Sequence, residues 1–174
     1  EGGIAFGNDL KMSASVVEVC RSVTKKPLIT KLSPNQTDIA ESARVCIEAG
    51  TDALSVSNTF TAMAIDVESR RPVLNNNVGG LSGPAIKPLA LLRVHEVYQV
   101  SKIHGIPIIG QGGITSSSDA IEFLIAGASA VGVGTGLFYD PCLCSEINLG
   151  ISSYMSRHDF ERVSEITGSL QINE

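Results

Sequence analysis

Short apolar runs alternate with amphipathic stretches four times along this chain, and this alternation limits the possible folds more than any other feature. Each run is bounded by Pro, Gly or Asn, which is typical of a buried strand. Alternating strands and helices indicate a parallel sheet. The predicted strands are 27–32, 52–57, the run that begins at residue 106, and 129–134. The predicted helices are 13–24, 37–49, 84–104 and 120–126, with one or two more toward the C-terminus.

The pattern also predicts which parts of the chain are buried and which are irregular. In the first helix, Val16, Val19, Cys20 and Val23 recur at helical spacing, so we expect this stripe to face the core. Segment 58–83 interrupts the alternation because it shows few periodic signals. A loop of this length inside a compact domain is usually functional.

Two glycine-bearing turns distinguish between the parallel folds. The stretch Ile106–Ile114 runs from apolar residues into Gly112-Gly113, and Gly134-Thr135 ends the last predicted strand. Taken alone, Gly112-Gly113 indicates either a tight turn or a phosphate site. Two such turns on the last two strands, followed by a short helix, are a common phosphate site of (β/α)8 barrels. An open nucleotide-binding sheet would instead carry Gly-x-Gly-x-x-Gly after its first strand, and that motif is missing there.

We therefore predict an α/β fold with four parallel strands alternating with helices, corresponding to the C-terminal half of a (β/α)8 TIM barrel. Residues 1–174 would form a single partial domain, from which the N-terminal half of the barrel is absent. An isolated half-barrel would expose two strand edges, so we expect it to associate.

Composition excludes several classes of function. The net charge is −5 and no basic run occurs, which argues against nucleic-acid binding. No apolar stretch reaches 18 residues, so we expect no membrane span. Cys142 and Cys144 have only one residue between them, which is poor spacing for zinc and awkward for a disulfide. Cys20 and Cys46 fall within helical apolar patterns, where a buried free thiol is usual. We expect no metal site and a cytoplasmic location.

Polar residues follow the predicted strands at the ends where barrel enzymes place their chemistry. Lys31 lies inside the apolar run PLITKL, so it either extends to the barrel mouth or meets a negative charge there; the plain alternative is a solvated strand end. Asn58 and Thr59 either bind an amide-rich ligand or form a plain Asx turn. Lys87, near a helix N-terminus, is treated as a surface residue.

Several longer motifs carry a family resemblance over nearly the whole chain and in the same order. LSPN, RPVL, GGLSGPAIKP, IIGQGGI and GASAVGVGT, together with NT followed by MAID, resemble class 1B dihydroorotate dehydrogenase, in particular its flavin-bearing catalytic subunit. GGLSGPAIKP is highly specific, whereas GGI and GASAVGVGT are shared with many flavin and phosphate barrels.

This resemblance implies an FMN-dependent enzyme that oxidises (S)-dihydroorotate to orotate in pyrimidine (UMP) biosynthesis. Lys31 would lie beside the flavin ring, where its charge stabilises the reduced, anionic flavin. The substrate would contact Asn58 and Thr59. The remaining FMN contacts would be Ser57 through its backbone, Gly83, and the phosphate-binding turns Gly112, Gly113, Gly134 and Thr135.

The catalytic base is the main departure from the family pattern. In the family it is a cysteine in a Ser-Cys-Pro-Asn stretch just before the glycine pair that matches Gly2-Gly3. None of the four cysteines matches it, so we assign no catalytic residue within this chain and expect the base upstream of Glu1. We therefore expect residues 1–174 alone to be inactive. Class 1B enzymes also pass electrons to a subunit with FAD and a [2Fe-2S] cluster and then to NAD+, so we expect a homo- or hetero-oligomer.

Two alternatives remain open at this stage. The first is another FMN barrel, such as a dihydropyrimidine dehydrogenase-like domain. The second is a half-barrel that binds a phosphate ligand without catalysis and without flavin.

Overall fold

The computed structural model of this chain describes residues 7–173, and five α-helices and eight short strands are found within that range. The helices are α1 (Leu10–Val23), α2 (Ile39–Glu48), α3 (Lys87–His104), α4 (Ser117–Ala126) and α5 (Leu143–Arg157). The strands are β1 (Ile29–Lys31), β2 (Ala53–Val56), β3 (Phe60–Ala62), β4 (Ile65–Asp66), β5 (Arg71–Pro72), β6 (Gly79–Leu81), β7 (Ile108–Gln111) and β8 (Ala130–Gly132).

The expected position of the catalytic base lies outside this range. Glu1, upstream of which the base is expected, and the Gly2-Gly3 pair of the family pattern both lie outside the described residues. The placement of the base before Glu1 therefore stays a prediction.

The main sheet has four parallel strands in the order β1-β2-β7-β8. Within this set of four, strands that are consecutive along the chain are neighbours in the sheet. This is the strand order in the wall of a barrel. A doubly wound sheet would reverse direction at a switch point. The prediction of four parallel strands alternating with helices is therefore confirmed.

The helices follow the same sequential order as the strands. Helix α1 packs on α2, α2 on α3, α3 on α4, and α4 on α5. Their buried side chains meet the sheet face formed by Leu54, Val56 and Ile108, each of which is at most 1% exposed. Phe123 of α4 is fully buried in the same layer. The core thus lies between the sheet and one curved layer of helices.

Local sequence explains where the helices begin and end. Asp9 caps α1 by accepting a hydrogen bond from the Met12 N–H at 2.9 Å, which moves the helix start three residues before the predicted one. Ser116 caps α4 in the same way through the Asp119 N–H. Helix α3 ends at Gly105 in the left-handed conformation, which glycine adopts at low cost.

The predicted core-facing stripe of α1 is wrong. Val16, Val19 and Val23 are 47%, 63% and 80% exposed, Cys20 is half-buried, and Val17 is the buried residue. Helical spacing identifies an apolar stripe but does not reveal which element covers it. In the described chain α1 packs mainly on α2, and the face of α1 that carries Val17 is the one that is buried.

Segment 58–83 contains structure that its sequence did not predict. Strands β3 and β6 pair antiparallel, and β4 pairs antiparallel with β5 inside the loop that they close. Thr61 of β3 donates its N–H to the Asn35 side chain at 2.8 Å, which fixes this excursion to the segment after β1. The excursion therefore stands over the carboxyl end of the main sheet.

Membrane spans and metal clusters are both missing from residues 7–173. None of the helices there combines the length and apolarity that a membrane crossing requires. No group of three or more His, Cys, Asp or Glu side chains in that range is placed to hold a metal ion.

Candidate functional site

The carboxyl ends of the four parallel strands surround a cavity of about 300 Å³. This volume is at the lower end of the usual range for small-molecule sites. All nine residues predicted from the sequence line it: Lys31, Ser57, Asn58, Thr59, Gly83, Gly112, Gly113, Gly134 and Thr135. They come from segments up to about a hundred positions apart, and the parallel sheet brings them to one edge.

The glycine turn after β7 lies directly against the segment that begins α3. A Cβ atom added to Gly113 would lie 2.8 Å from the Gly83 carbonyl oxygen and 2.9 Å from the Lys87 backbone nitrogen. Gly113 also has φ +77°, a region that other residues rarely adopt. A glycine is therefore required at this position by both contact and conformation.

Unpaired backbone donors line the same part of the cavity. Among residues 7–173, the N–H groups of Gly112, Gly113, Gly134 and Thr135 donate to no protein acceptor. A Cβ atom at Gly134 would meet nothing within 4 Å, so the space in front of this turn is open. Several N–H groups in adjacent turns, one of them opening the 3-10 turn Thr135–Phe138, form a site suited to a phosphate.

Lys31 supplies the positive charge of the cavity. It ends β1, its side chain is exposed, and no hydrogen bond or ion pair engages it within residues 7–173. Lys31 aligns with Ser55 of β2, and Ser55 aligns with Ile109 of β7, so the lysine lies on the sheet face opposite the helices. It is the only charged side chain among the described residues that line the cavity, which therefore favours an anionic ligand.

A second, smaller cavity of about 170 Å³ adjoins the first on the side of the excursion. Lys31, Asn58 and Thr59 line both cavities. The Asn58 side chain accepts a hydrogen bond from the Thr59 N–H at 2.9 Å, so its oxygen has a local partner, although an Asx turn would bond the N–H two residues on. The position of these residues between two cavities is compatible with contacts to two different molecules.

Sequence reasoning missed two polar residues of this region. Gln111 lines the main cavity, and its amide donates to the Ser55 hydroxyl at 3.0 Å and to the Ser57 carbonyl at 2.9 Å, which joins the ends of β2 and β7. Asn35 lines the second cavity and donates to the Thr59 carbonyl at 2.9 Å. Both lie in motifs that carry the family resemblance, IIGQGGI and LSPN. Their position as polar residues at or just after the end of a predicted strand could have identified them as site residues.

The interpretation of Lys87 as a surface residue is wrong. Its Nζ lies 2.7 Å from an Asp119 carboxylate oxygen and 2.8 Å from a Glu122 carboxylate oxygen, and only 26% of its side chain is exposed. These hydrogen bonds raise the pKa of Lys87. The electrostatic cost of a cation near a helix N-terminus is offset by the two carboxylates.

Asp119 has more partners than any other ionisable group near the glycine turns. One carboxylate oxygen contacts Lys87, and the other accepts from the Thr115 N–H at 2.9 Å and the Thr115 hydroxyl at 3.0 Å. Burial opposes ionisation, but the hydrogen bonds from Lys87, Thr115 and Ser116 outweigh it and lower the pKa of Asp119 to about 2. The carboxylate is therefore ionised at neutral pH.

The cysteines lie away from the main cavity, since none of the four is among the described residues that line it. Cys142 and Cys144 are exposed, and Cys46 is buried. Burial raises the pKa of the Cys46 thiol to about 11, so this thiol is protonated and unreactive at neutral pH.

The family model described as dihydroorotate dehydrogenase matches residues 1–155. The chain is 54% identical over 171 residues to the protein of Pelobacter propionicus named dihydroorotate dehydrogenase B (NAD(+)), catalytic subunit, covering 98% of this chain and 55% of that protein. The protein of the same name from Porphyromonas gingivalis is 52% identical, with 99% and 55% covered. The chain thus spans about half the length of the curated relatives it matches.

A solved structure gives the same result at the level of the fold. The ligand-free dihydroorotate dehydrogenase of Eimeria tenella superimposes with a TM-score of 0.78 at 26% identity, covering 95% of this chain and 51% of that one. The four-stranded wall and its helices therefore correspond to about half of a known dehydrogenase fold, as expected for a partial (β/α)8 barrel.

Proposed function

This chain belongs to the dihydroorotate dehydrogenase family, and on that premise we propose that the whole protein oxidises (S)-dihydroorotate to orotate with FMN in pyrimidine biosynthesis. The observation that carries the proposal is the single cavity that gathers all nine residues expected to contact the cofactor and the substrate. Its one charged lining residue in the described chain is cationic, as an anionic ligand requires.

The residues of this chain fit FMN at the phosphate end. Two adjacent turns offer four unpaired N–H groups among the described residues, and the space in front of Gly134 is open. These donors would hold the phosphate through Gly112, Gly113, Gly134 and Thr135. When bound, FMN would supply the acceptor for the hydride that leaves dihydroorotate.

The chain's other residues would bind and orient the two molecules. The Lys31 ammonium would stabilise negative charge that develops on the bound flavin, because no carboxylate among the described residues neutralises it. Ser57 and Gly83 would contact FMN from the ends of neighbouring segments, and Asn58 and Thr59 would contact the substrate where the two cavities meet.

The base that removes the C5 proton lies elsewhere in the whole protein on this proposal, since no cysteine of this chain lines the main cavity. We further propose that residues 1–174, as a single partial domain, contribute one side of the site and do not turn over alone. Because relatives are named as the catalytic subunit of an NAD(+) enzyme, electrons would pass to a partner subunit with FAD and a [2Fe-2S] cluster. The whole enzyme would act in the cytoplasm.

The direct test uses the whole protein loaded with FMN. We expect oxidation of dihydroorotate with an artificial electron acceptor, and reduction of NAD+ only when the electron-transfer subunit is added. Orotate should bind more tightly than uracil, which separates this function from that of a dihydropyrimidine dehydrogenase-like domain. A protein that binds flavin but neither oxidises dihydroorotate nor prefers orotate would contradict the proposal.

A further inference from the structure

One ionic cluster adjoins the glycine turns but takes no direct part in the site described above. It consists of Lys87 at the start of α3 and Asp119 and Glu122 in α4. None of the three lines the main cavity among the described residues, yet the side chains of Lys87 and Asp119 are only 26% and 13% exposed. An ion pair shielded to this degree is screened less by solvent than the exposed pairs of a protein surface.

The cluster reaches the glycine turn from both sides. On one side, the backbone nitrogen of Lys87 is one of the two backbone atoms that a Cβ at Gly113 would meet within 3 Å. On the other side, Thr115, two residues after the glycine pair, is held through its N–H and its hydroxyl by the Asp119 carboxylate. The Lys87–Asp119 contact closes this path, so the turn is enclosed by residues that the ion pair fixes relative to one another.

Charge excludes the simplest role for this cluster. One lysine and two carboxylates sum to one negative charge beside a site that is suited to an anion. The carboxylates therefore cannot act by attracting a phosphate, and by Coulomb's law alone their removal would favour it. What they supply is position, because the unpaired N–H groups of the turn bind well only when they converge on one point.

We propose that Lys87 and Asp119 are positioning residues that hold the Gly112-Gly113 turn in the arrangement that binds the phosphate of the cofactor. This inference rests on the proposed function, and it assigns a role to two residues that do not line the main cavity in the described chain. Glu122 shares the Lys87 ammonium but contacts nothing on the Thr115 side, so its role is smaller.

The test compares two flavins that differ by the phosphate group. Dissociation constants for FMN and riboflavin are measured by quenching of flavin fluorescence on the whole apoprotein and on its Asp119→Asn and Lys87→Met variants. We expect each substitution to weaken FMN binding roughly tenfold, because a hydrogen-bonded charge is lost. Riboflavin binding should change by less than about twofold, since riboflavin does not use the turn.

Two controls separate positioning from general loosening. Glu96→Gln removes another ion pair of α3, Arg93–Glu96, at 2.8 Å and away from the turn, and should leave both constants unchanged. Lys87→Arg keeps the charge and should recover most of the FMN affinity. If Asp119→Asn fails to fold, the comparison of Lys87→Met with Lys87→Arg carries the test.

Each outcome has a definite meaning. Equal weakening of FMN and riboflavin, or unchanged FMN affinity in both variants, would overturn the positioning role while the proposed function stands. Tighter FMN binding in Asp119→Asn would also overturn it, since the carboxylate would then act only by repulsion. A wild-type protein that binds neither flavin would overturn the proposed function, and this inference with it.

Discussion

The two faces of the four-stranded sheet are built from the same strands but differ in almost every physical property. On the helix side, Leu54, Val56 and Ile108 are apolar and essentially inaccessible to solvent. On the opposite side, Lys31 and Gln111 are polar and reach an open cavity. Because side chains alternate along a strand, one segment can serve a closed core and an open site at once.

This difference separates stability from function at the level of single residues. Changes on the helix face should lower the free energy of unfolding and leave ligand affinity of the folded protein intact. Changes at the rim of the other face should weaken ligand binding and change the free energy of unfolding much less. Substitutions in the whole protein test this separation, and the largest effect on the free energy of unfolding is expected in the core.

Truncation of a helix-face residue should cost the most stability. Leu54 is fully buried, so Leu54→Ala removes apolar contacts and leaves a cavity, at about 2–5 kcal/mol of the free energy of unfolding. Denaturant unfolding measures this loss, and FMN affinity measured well below the unfolding transition should be unchanged. Leu92→Ala, on the outer side of α3 where Leu92 is 53% exposed, is the matched control and should cost far less.

Substitution of Gly113 should lower both the free energy of unfolding and the affinity for FMN. Gly113→Ala places a methyl group within 3 Å of two backbone atoms and strains φ, so we expect a loss of about 1–3 kcal/mol and at least roughly tenfold weaker FMN binding. Gly105→Ala is the control, because Gly105 also has positive φ but its Cβ would meet nothing within 4 Å. A Gly105 variant that lost FMN affinity equally would show that strain alone explains the result.

Removal of the cavity's charge should affect function with little effect on stability. Lys31 has no partner among residues 7–173, so Lys31→Met should change the free energy of unfolding by only about 0.5 kcal/mol. The midpoint potential of bound FMN should fall by about 30 mV, about 1.4 kcal/mol for two electrons. Potentiometric titration measures the shift. Lys25→Met, a lysine outside the cavity, should leave the potential unchanged.

Acid should weaken the Asp119 contacts in a narrow range. The folded pKa of Asp119, about 2, lies below its ordinary value of 3.8, so its contribution to stability is complete above about pH 4 and is lost as the pH falls toward 2. The stability difference between wild type and Asp119→Asn, from urea unfolding, should therefore shrink over that range. In Asp66, which is fully exposed, the Ser69 hydroxyl lowers the pKa, and Asp66→Asn should show a much smaller pH dependence. An equal dependence in both variants would contradict the account.

The parts of the fold that could be predicted are those set by repeating local pattern. Alternating apolar runs and helical stripes placed the four parallel strands and the main helices, and the same order brought Lys31, Asn58 and the glycine turns to one edge. That convergence follows from parallel pairing alone, because the carboxyl ends of all four strands meet there.

What could not be predicted depends on contacts between distant segments. Strands β4 and β5 have two residues each, too few for any alternation to show. The side on which α1 is buried depends on its packing against α2. Lys87 finds its carboxylates 32 and 35 positions later in the chain, a distance at which sequence spacing carries no information.

The central claim is that the rim of this sheet holds a flavin that dihydroorotate reduces. Its most direct test is an anaerobic titration of the FMN-loaded whole protein with dihydroorotate, followed by the visible absorbance of the bound flavin. The account predicts complete bleaching at one equivalent of dihydroorotate per bound FMN, with orotate as the product. Flavin absorbance that stays unchanged in the presence of excess dihydroorotate would contradict it.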